Sequence, residues 1–158
     1  MHKKTAIRWD EDASVAANVS ARLAPLVADY FTRGRKLQSK TDAEEFHNFR
    51  LQSKRLRYTL ELFRGCYGPG LNERLARLRQ VQQRLGEMND CEASLQLLAS
   101  REGVLPAHRQ KVVRYLEAKS ADSREQFLSY WRETFDAAGQ EDWWVRYLTK
   151  PREAAGTS

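Results

Sequence analysis

Apolar residues between positions 46 and 63 recur at the spacing of an α-helix. At about 100° per residue, five of them share one face, and Ser53 leaves a small gap in it. These five are Phe46, Phe49, Leu56, Leu60 and Phe63. Thr41, followed by Glu44 three residues later, matches a capping box. The pattern therefore predicts a helix that begins at about residue 41 and runs to about residue 66.

The same spacing predicts helices on both sides of this one. The first runs from about residue 12 to residue 37, and Pro25 either kinks it or starts a new helix. Later helices are expected at about 71–86, 106–135 and 141–148, and Asn89-Asp90 can cap a short helix over about 89–100. Short connections make neighbouring helices antiparallel. The sequence thus predicts an all-α fold, an antiparallel helical bundle of four or more helices.

Composition fits one helical domain over residues 1–158, with flexible ends at about 1–9 and 150–158. Charged residues make up 30 % of the chain, and alternating β-branched runs are absent, which excludes a β-sandwich or barrel. No apolar run approaches the roughly 20 residues of a membrane span, and the start shows no secretory signal. Cys66 and Cys91 lack metal spacing, so we interpret them as reduced thiols of a cytoplasmic protein.

Beside the apolar face of residues 46–63 lies a second face, which we call the basic stripe. It consists of His47, Arg50, Lys54, Arg57, Tyr58 and Glu61. Like charges three or four residues apart on a helix repel by roughly 0.2–0.5 kcal/mol per pair, so this arrangement indicates that an anion binds there. Between residues 47 and 84, nine Lys or Arg residues are set against two Glu residues, a net charge of +7 within an overall +6. Such a patch is typical of proteins that bind a polyanion.

This region contains two motifs, FHNFRLQSKRLRYTLELF and RLRQVQQRLGEMND, which together cover about 45 residues. The first includes His47, Arg50, Lys54-Arg55-Leu56-Arg57-Tyr58 and Glu61. The second includes Gln82, Leu85-Gly86 and Asn89-Asp90. At these positions the two motifs resemble the second-half signature of the conserved histidine α-helical domain, or CHAD, family.

The resemblance implies a fold of two helical bundles related by pseudo-twofold symmetry, with basic residues lining a central surface that binds inorganic polyphosphate. The chain carries one copy of the histidine motif, and residues 1–40 do not resemble the first-half copy, so half of that architecture is implied. We therefore expect two chains to rebuild the symmetric domain as a homodimer. We also expect the protein in the cytoplasm, at polyphosphate granules, with no membrane partner.

Polyphosphate carries negative charge on each unit and has no bases to read, so its binding requires a row of donors. The predicted binding residues are His47, Arg50, Lys54, Arg57, Tyr58 and Arg79. Arginine can bind two phosphate oxygens at once and lysine supplies a compact charge, while Glu61 would orient Arg57. A second group of candidates outside the stripe comprises Lys36, Lys40, Arg55 and Arg74. We expect Arg74, Arg77 and Arg84 on the exterior of their helix.

Other functions are compatible with the same residues. RNA or another nucleic acid could use the phosphate contacts, but Tyr58 is the only aromatic residue of the stripe, so we expect nucleic acid only as a weaker competitor. A helical scaffold with a merely solvated basic face would show the same pattern. The chain has no P-loop, no histidine pair at metal spacing and few carboxylates in the basic helices. We therefore predict no cofactor, no metal and no enzymatic activity.

Overall fold

The computed structural model describes residues 8–103 and 106–152. Within these residues the fold is all-α, as predicted, and contains no strand. The helices are α1 (Val15–Lys36), α2 (Ala43–Leu62), α3 (Gly70–Ser100), α4 (Pro106–Tyr130) and α5 (Gln140–Leu148). Helices α1 to α4 pack in chain order as an antiparallel bundle, and α5 packs against α1.

Helix α1 begins at a side-chain cap and continues through Pro25. The hydroxyl of Ser14 accepts a hydrogen bond from the Ala17 N–H at 3.1 Å. Pro25 is exposed, so the residue that cannot donate a helical hydrogen bond lies on the solvent side. The alternative that a new helix starts at Pro25 is wrong, because buried residues from Val19 to Phe31 form one continuous core-facing stripe.

Helix α2 is capped by Asp42 and not by Thr41, which corrects the predicted capping box. The Asp42 carboxylate accepts a hydrogen bond from the Glu44 N–H at 3.0 Å, so aspartate supplies the acceptor that threonine was expected to supply. The helix ends at Leu62, and Arg64–Cys66 forms a separate 3₁₀ turn. The predicted end near residue 66 therefore included this turn.

Helix α3 is a single helix of 31 residues, so the predicted break at Gly86 and the predicted cap at Asn89 are wrong. The buried stripe does not stop at Leu85, because Met88 and Cys91 continue it. Packing of these side chains outweighs the cost of about 1 kcal/mol for a glycine inside a helix. Asn89 consequently lies in mid-helix, where its side chain can bond to another element.

Helices α3 and α4 pack against each other and extend past the rest of the bundle. At about 1.5 Å per residue, the 31 residues of α3 span roughly 46 Å, whereas the 20 residues of α2 span roughly 30 Å. No described residue between Cys91 and Ser120 is buried, and Leu97, Val112 and Tyr115 are exposed. The distal halves of α3 and α4 thus project as a two-helix arm.

Aromatic side chains from several helices form the core. Tyr30 of α1 stacks on Phe49 of α2 with ring centroids 4.7 Å apart. The gap that Ser53 leaves in the α2 face admits the Tyr30 hydroxyl, 2.7 Å from the Ser53 Oγ. Burial raises the pKa of Tyr30 far above its usual range, so the phenol stays neutral. Of the five residues on the predicted apolar face of α2, Phe46, Phe49, Leu56 and Leu60 are buried and Phe63 is half-buried. The buried residues of α3 include Leu71, Leu75, Leu78, Val81 and Leu85.

The helix predicted over 106–135 ends at Tyr130, and Trp131–Phe135 forms a π-helical turn. The Asp136 N–H closes this turn by donating to Trp131 O at 2.7 Å. Gly139, with a φ of 83°, then directs the chain into α5. Arg35 of α1 pairs with Asp136 at 2.6 Å and also with Glu141, so charge pairs help to fasten α5 to α1.

The predicted flexible ends fall largely on residues 1–7 and 153–158, which lie outside the described residues. At the described edges, the Arg22 guanidinium lies 5.9 Å from the Trp9 ring centroid, and the Arg152 N–H donates to Cys66 O at 2.7 Å. Cys66 and Cys91 are free thiols. In the described part of the chain, none of the helices combines the length and the apolarity needed to cross a bilayer.

Candidate anion-binding site

The basic stripe occupies the side of α2 that the core leaves open. Because the apolar face is turned inward, Arg50, Lys54 and Arg57 are half-buried at its edge, whereas His47 and Tyr58 are exposed. Long basic side chains in such positions lay their stems against the protein and keep their charged ends in water. Arg50 and Arg57 are seven positions apart, which corresponds to about 10.5 Å along the helix axis. The stripe is therefore a row of cationic groups suited to an extended ligand.

Arg50 and Lys54 have no hydrogen-bond or ion-pair partner among the described residues. Half-buried cations usually pair with a carboxylate, because removing a charge from water without a partner is unfavourable. The Glu45 carboxylate of the same helix pairs with Lys40, at 3.6 Å. These two cations are thus available to a ligand.

Glu61 holds Arg57 in place, as predicted. The Arg57 Nη1 donates to Glu61 Oε1 at 2.8 Å, and the guanidinium lies 4.7 Å from the ring centroid of Tyr58. Arg79 of α3 donates to the same carboxylate oxygen at 3.3 Å. Glu61 therefore brings together two arginines from neighbouring helices, and the group of three keeps a net positive charge.

A contact that the sequence did not reveal joins the histidine to α3. The His47 Nδ1 lies 2.8 Å from Asn89 Oδ1. His47 belongs to the first of the two motifs and Asn89 to the second, so the pairing of the motifs was a signal that the two helices are neighbours. The spacing within each motif does not show which of their side chains are in contact. Asn89 is thus a partner of His47 and not a helix cap.

A cavity of about 390 Å³ opens beside this pair, between the start of α2 and the middle of α3. The apolar residues Phe46, Leu85 and Met88 are part of its lining. Two acidic residues, Glu44 and Glu92, also line it, and the Glu92 carboxylate accepts a hydrogen bond from the Ser120 hydroxyl at 3.2 Å. His47 therefore lies between an acidic cavity and the cations of the basic stripe.

Three of the second group of candidates lie apart from the basic stripe. Lys36, at the end of α1, and Arg55, on the outer side of α2, are exposed. Lys40 is engaged with Glu45. Among the described residues, none of the three shares a hydrogen-bond or ion-pair partner with a stripe residue. They can add to the local positive charge without being part of the row.

The expectation that Arg74 lies on the exterior is wrong, since only 4 % of the residue is exposed. Its guanidinium contacts two rings of α5, 3.5 Å from the centroid of Trp143 and 3.8 Å from that of Tyr147. It donates to Gly70 O at 3.0 Å and to Trp143 O at 2.6 Å. Burial lowers the pKa of Arg74 to about 10, so the group remains charged at neutral pH. Arg74 thus fastens α5 to α3 and does not reach the basic stripe.

Arg77 and Arg84 also serve contacts within the protein. Arg77 donates to Gln140 and pairs with Glu73 at 3.2 Å, and the Arg84 guanidinium lies 4.2 Å from the Tyr130 ring centroid. The positive charge of residues 47–84 is therefore divided between the basic stripe and the surface that meets α4 and α5. Within the described residues, no group of three His, Cys, Asp or Glu could hold a metal ion. The stripe offers N–H donors, which suit phosphate oxygens.

The family model of the CHAD domain matches residues 3–99 of the 158-residue chain, more than half of its length. The matched region contains the whole basic stripe and Asn89, and it ends near the end of α3. No curated protein and no solved structure matches the chain.

Proposed function

The chain belongs to the CHAD domain family, and on that premise we propose that it binds inorganic polyphosphate along the basic stripe without catalysing a reaction. The CHAD domain is a polyphosphate-binding type of domain and is generally non-catalytic. The observation that carries the proposal is that Arg50 and Lys54 are half-buried and lack partners among the described residues. A ligand with a negative charge on each unit would supply those partners.

The order of the side chains along α2 suits successive phosphate units. Arg50 and Arg57 can each donate two hydrogen bonds to a phosphate, and Lys54 supplies a point charge between them. Arg79 widens the row across the groove between α2 and α3. Each phosphate contact releases condensed counterions, so affinity should fall steeply with salt, as for nucleic acids. A protein bound in this way would accompany the polymer, so we expect it in the cytoplasm at polyphosphate granules.

Arg50→Ala combined with Lys54→Ala tests the proposal. We expect long-chain polyphosphate to bind at least about tenfold more weakly, because two charged hydrogen-bonding groups are lost. The slope of log affinity against log salt should become shallower by roughly one to two. Titration at two salt concentrations, with the mass measured free and bound, provides both values.

Lys111→Ala combined with Arg114→Ala is the matched control. These residues are exposed on α4 and have no partner among the described residues, so the pair removes the same charge elsewhere. Circular dichroism shows whether each variant keeps its helices. Unchanged binding by the stripe variant, or an equal loss in both variants, would contradict the proposal.

The family premise also leads us to propose that two copies pair through α2. Leu51, Tyr58 and Leu62 are 39 %, 55 % and 76 % exposed and lie in one line along the outer edge of the basic stripe. Pairing two such lines would remove apolar surface from water and bring a second basic stripe close to the first. Sedimentation at micromolar concentration should show a dimer, and Leu62→Glu should give a monomer with weaker binding. A stable wild-type monomer with full affinity would exclude the pairing.

Nucleic acid is expected to bind the same surface more weakly. Tyr58 gives the stripe one exposed ring on which a base could stack, whereas binding of single strands uses several such rings. In a competition assay, long-chain polyphosphate should displace RNA at equal charge concentration, and RNA should fail to displace polyphosphate. The reverse order would favour an RNA-binding function.

A further inference from the structure

Asn89 lies in the interior of α3, and its side chain meets His47 of α2. We infer that Asn89 is a positioning residue: it selects the His47 nitrogen that faces a bound anion, and thereby couples polyphosphate binding to the uptake of a proton. The inference rests on the proposed function and adds a regulation by pH to it.

The contact decides where the imidazole carries its hydrogen. The Asn89 Oδ1 can only accept, so the His47 Nδ1 at 2.8 Å must carry a hydrogen and donate it. In a neutral imidazole the other nitrogen, Nε2, then has no hydrogen and presents a lone pair. A lone pair cannot donate to a phosphate oxygen and is repelled by it. Neutral His47 is therefore unsuited to the ligand that its neighbours attract.

Protonation of Nε2 makes His47 favourable for phosphate binding without moving the ring. The imidazolium keeps its Nδ1–H bond to Asn89 and gains both a positive charge and an Nε2–H donor. His47 precedes Arg50 by three residues on the same side of α2, so the charged ring lengthens the row by one cation. Histidine is the side chain whose charge changes most readily between about pH 5 and pH 8.

Charged groups on both helices around His47 act on this protonation. On α2, Arg50 and Lys54 oppose it while the site is empty, whereas Glu44 favours it. On α3, Glu92 lines the same cavity and favours it, although that carboxylate also accepts a hydrogen bond from α4. Bound polyphosphate offsets the two cations and favours the imidazolium. Binding therefore takes up a proton, so the affinity rises as the pH is lowered.

Titration calorimetry with long-chain polyphosphate tests the coupling. Measurement near neutral pH in two buffers of different ionisation enthalpy gives the number of protons taken up, and the internal phosphates keep their charge throughout. We expect the wild-type chain to take up a fraction of a proton and to bind about tenfold more tightly near pH 6 than near pH 8. His47→Gln should lose both the proton uptake and the pH dependence of the affinity. His108→Gln removes another exposed histidine and should keep the proton uptake and the pH dependence.

Asn89→Ala distinguishes positioning from a structural role. Without the amide oxygen, the neutral ring can place its hydrogen on Nε2, so the preference for low pH should shrink from about tenfold to about threefold. Asn89→Asp keeps an acceptor and adds a negative charge that favours the imidazolium, so the pH dependence should move to higher pH. A purely structural Asn89 would weaken binding equally at both pH values and leave proton uptake unchanged, and that result would overturn the inference.

The outcomes also distinguish this inference from the proposed function. Wild-type binding that depends on Arg50 and Lys54 but takes up no proton would overturn the inference and leave the function standing. Absence of polyphosphate binding at both pH values would overturn both. His47 is exposed and Asn89 is half-buried, so the variants leave the core intact, and circular dichroism checks that they do.

Discussion

Glu61 carries the only negative charge of the basic stripe, and it orders the cations around it. It accepts a hydrogen bond from Arg57 of its own helix and another from Arg79 of the next helix. Ordering two flexible side chains before a ligand arrives lowers the entropy lost on binding. The same carboxylate repels the phosphates that those arginines attract, so Glu61 contributes order at some cost in attraction.

Replacing Glu61 by glutamine separates these two effects. The glutamine oxygen can still accept from Arg57, whereas the negative charge beside the ligand is removed. We therefore expect Glu61→Gln to tighten polyphosphate binding about two- to fivefold, the range of exposed ion pairs. Titration at low salt measures the change, and Glu73→Gln, which makes the same change beside Arg77, is the control. Weaker binding by Glu61→Gln would show that the charge itself is needed to hold Arg57.

For single residues, the sequence predicts contacts within one helix but does not predict contacts between side chains of neighbouring helices. The basic stripe and the Glu61–Arg57 pair could be predicted because angles around a helix follow from position alone. The bond between His47 and Asn89 depends on how α2 and α3 are rotated against each other, which no spacing within either motif specifies. Arg74 was misplaced for the same reason, because α5 covers it.

Helix α3 shows how packing overrides local signals at the scale of an element. Gly86 and the Asn89-Asp90 pair are local signs of a helix end, yet α3 continues to Ser100. The buried side chains of Met88 and Cys91 lie beyond the expected break and continue the buried stripe. The periodicity of one helix does not show such tertiary packing. The ends of α5 depend on local signals, and its bounds agree with the predicted 141–148 to within one residue.

Two glycine substitutions test the role of packing in opposite directions. A Cβ on Gly86 would meet nothing within 4 Å, so Gly86→Ala should stabilise the protein by about 0.5–1 kcal/mol through the helix propensity of alanine. A Cβ on Gly34 would overlap the Trp131 ring, so Gly34→Ala should destabilise it by about 1–3 kcal/mol. Denaturant unfolding measures both values. Destabilisation by Gly86→Ala would mean that another surface approaches that glycine closely.

For the whole molecule, the buried guanidinium of Arg74 closes the bundle by joining its last helix to α3. Two rings of α5 lie against the group, and two of its nitrogens donate to backbone oxygens. Lysine has no planar group to fill this space. This part of the positive charge therefore serves the fold, while the basic stripe serves the proposed ligand.

Arg74→Lys should accordingly lower stability and leave binding unchanged. We expect a loss of about 1–3 kcal/mol in the free energy of unfolding, measured with denaturant. Polyphosphate affinity of the folded variant should equal that of the wild-type chain. Arg146→Lys, on the exposed side of α5, is the control and should change neither. A loss of affinity in folded Arg74→Lys would mean that Arg74 also contributes to the polyanion surface.

The all-α fold could be predicted for the whole chain because helical periodicity recurs along it and turn residues separate the segments. Which helices pack against each other could not be predicted, because this depends on how well the apolar faces of different helices fit together. The sequence shows each of these faces only by itself. The positive charge illustrates this limit. The basic residues between positions 47 and 84 form one cluster in the sequence, but in the structure they divide between the basic stripe and the surface that meets α4 and α5.

The two-helix arm of α3 and α4 has a consequence for how the molecule opens. Local opening requires the least free energy where few apolar side chains are buried, and the described residues between Cys91 and Ser120 bury none completely. Amide hydrogens in the arm should therefore exchange with solvent deuterium much sooner than those of α2 and of the first half of α3. Exchange followed by mass spectrometry would then show two populations of peptides, with the arm unravelling and re-forming many times while the basic stripe keeps its shape.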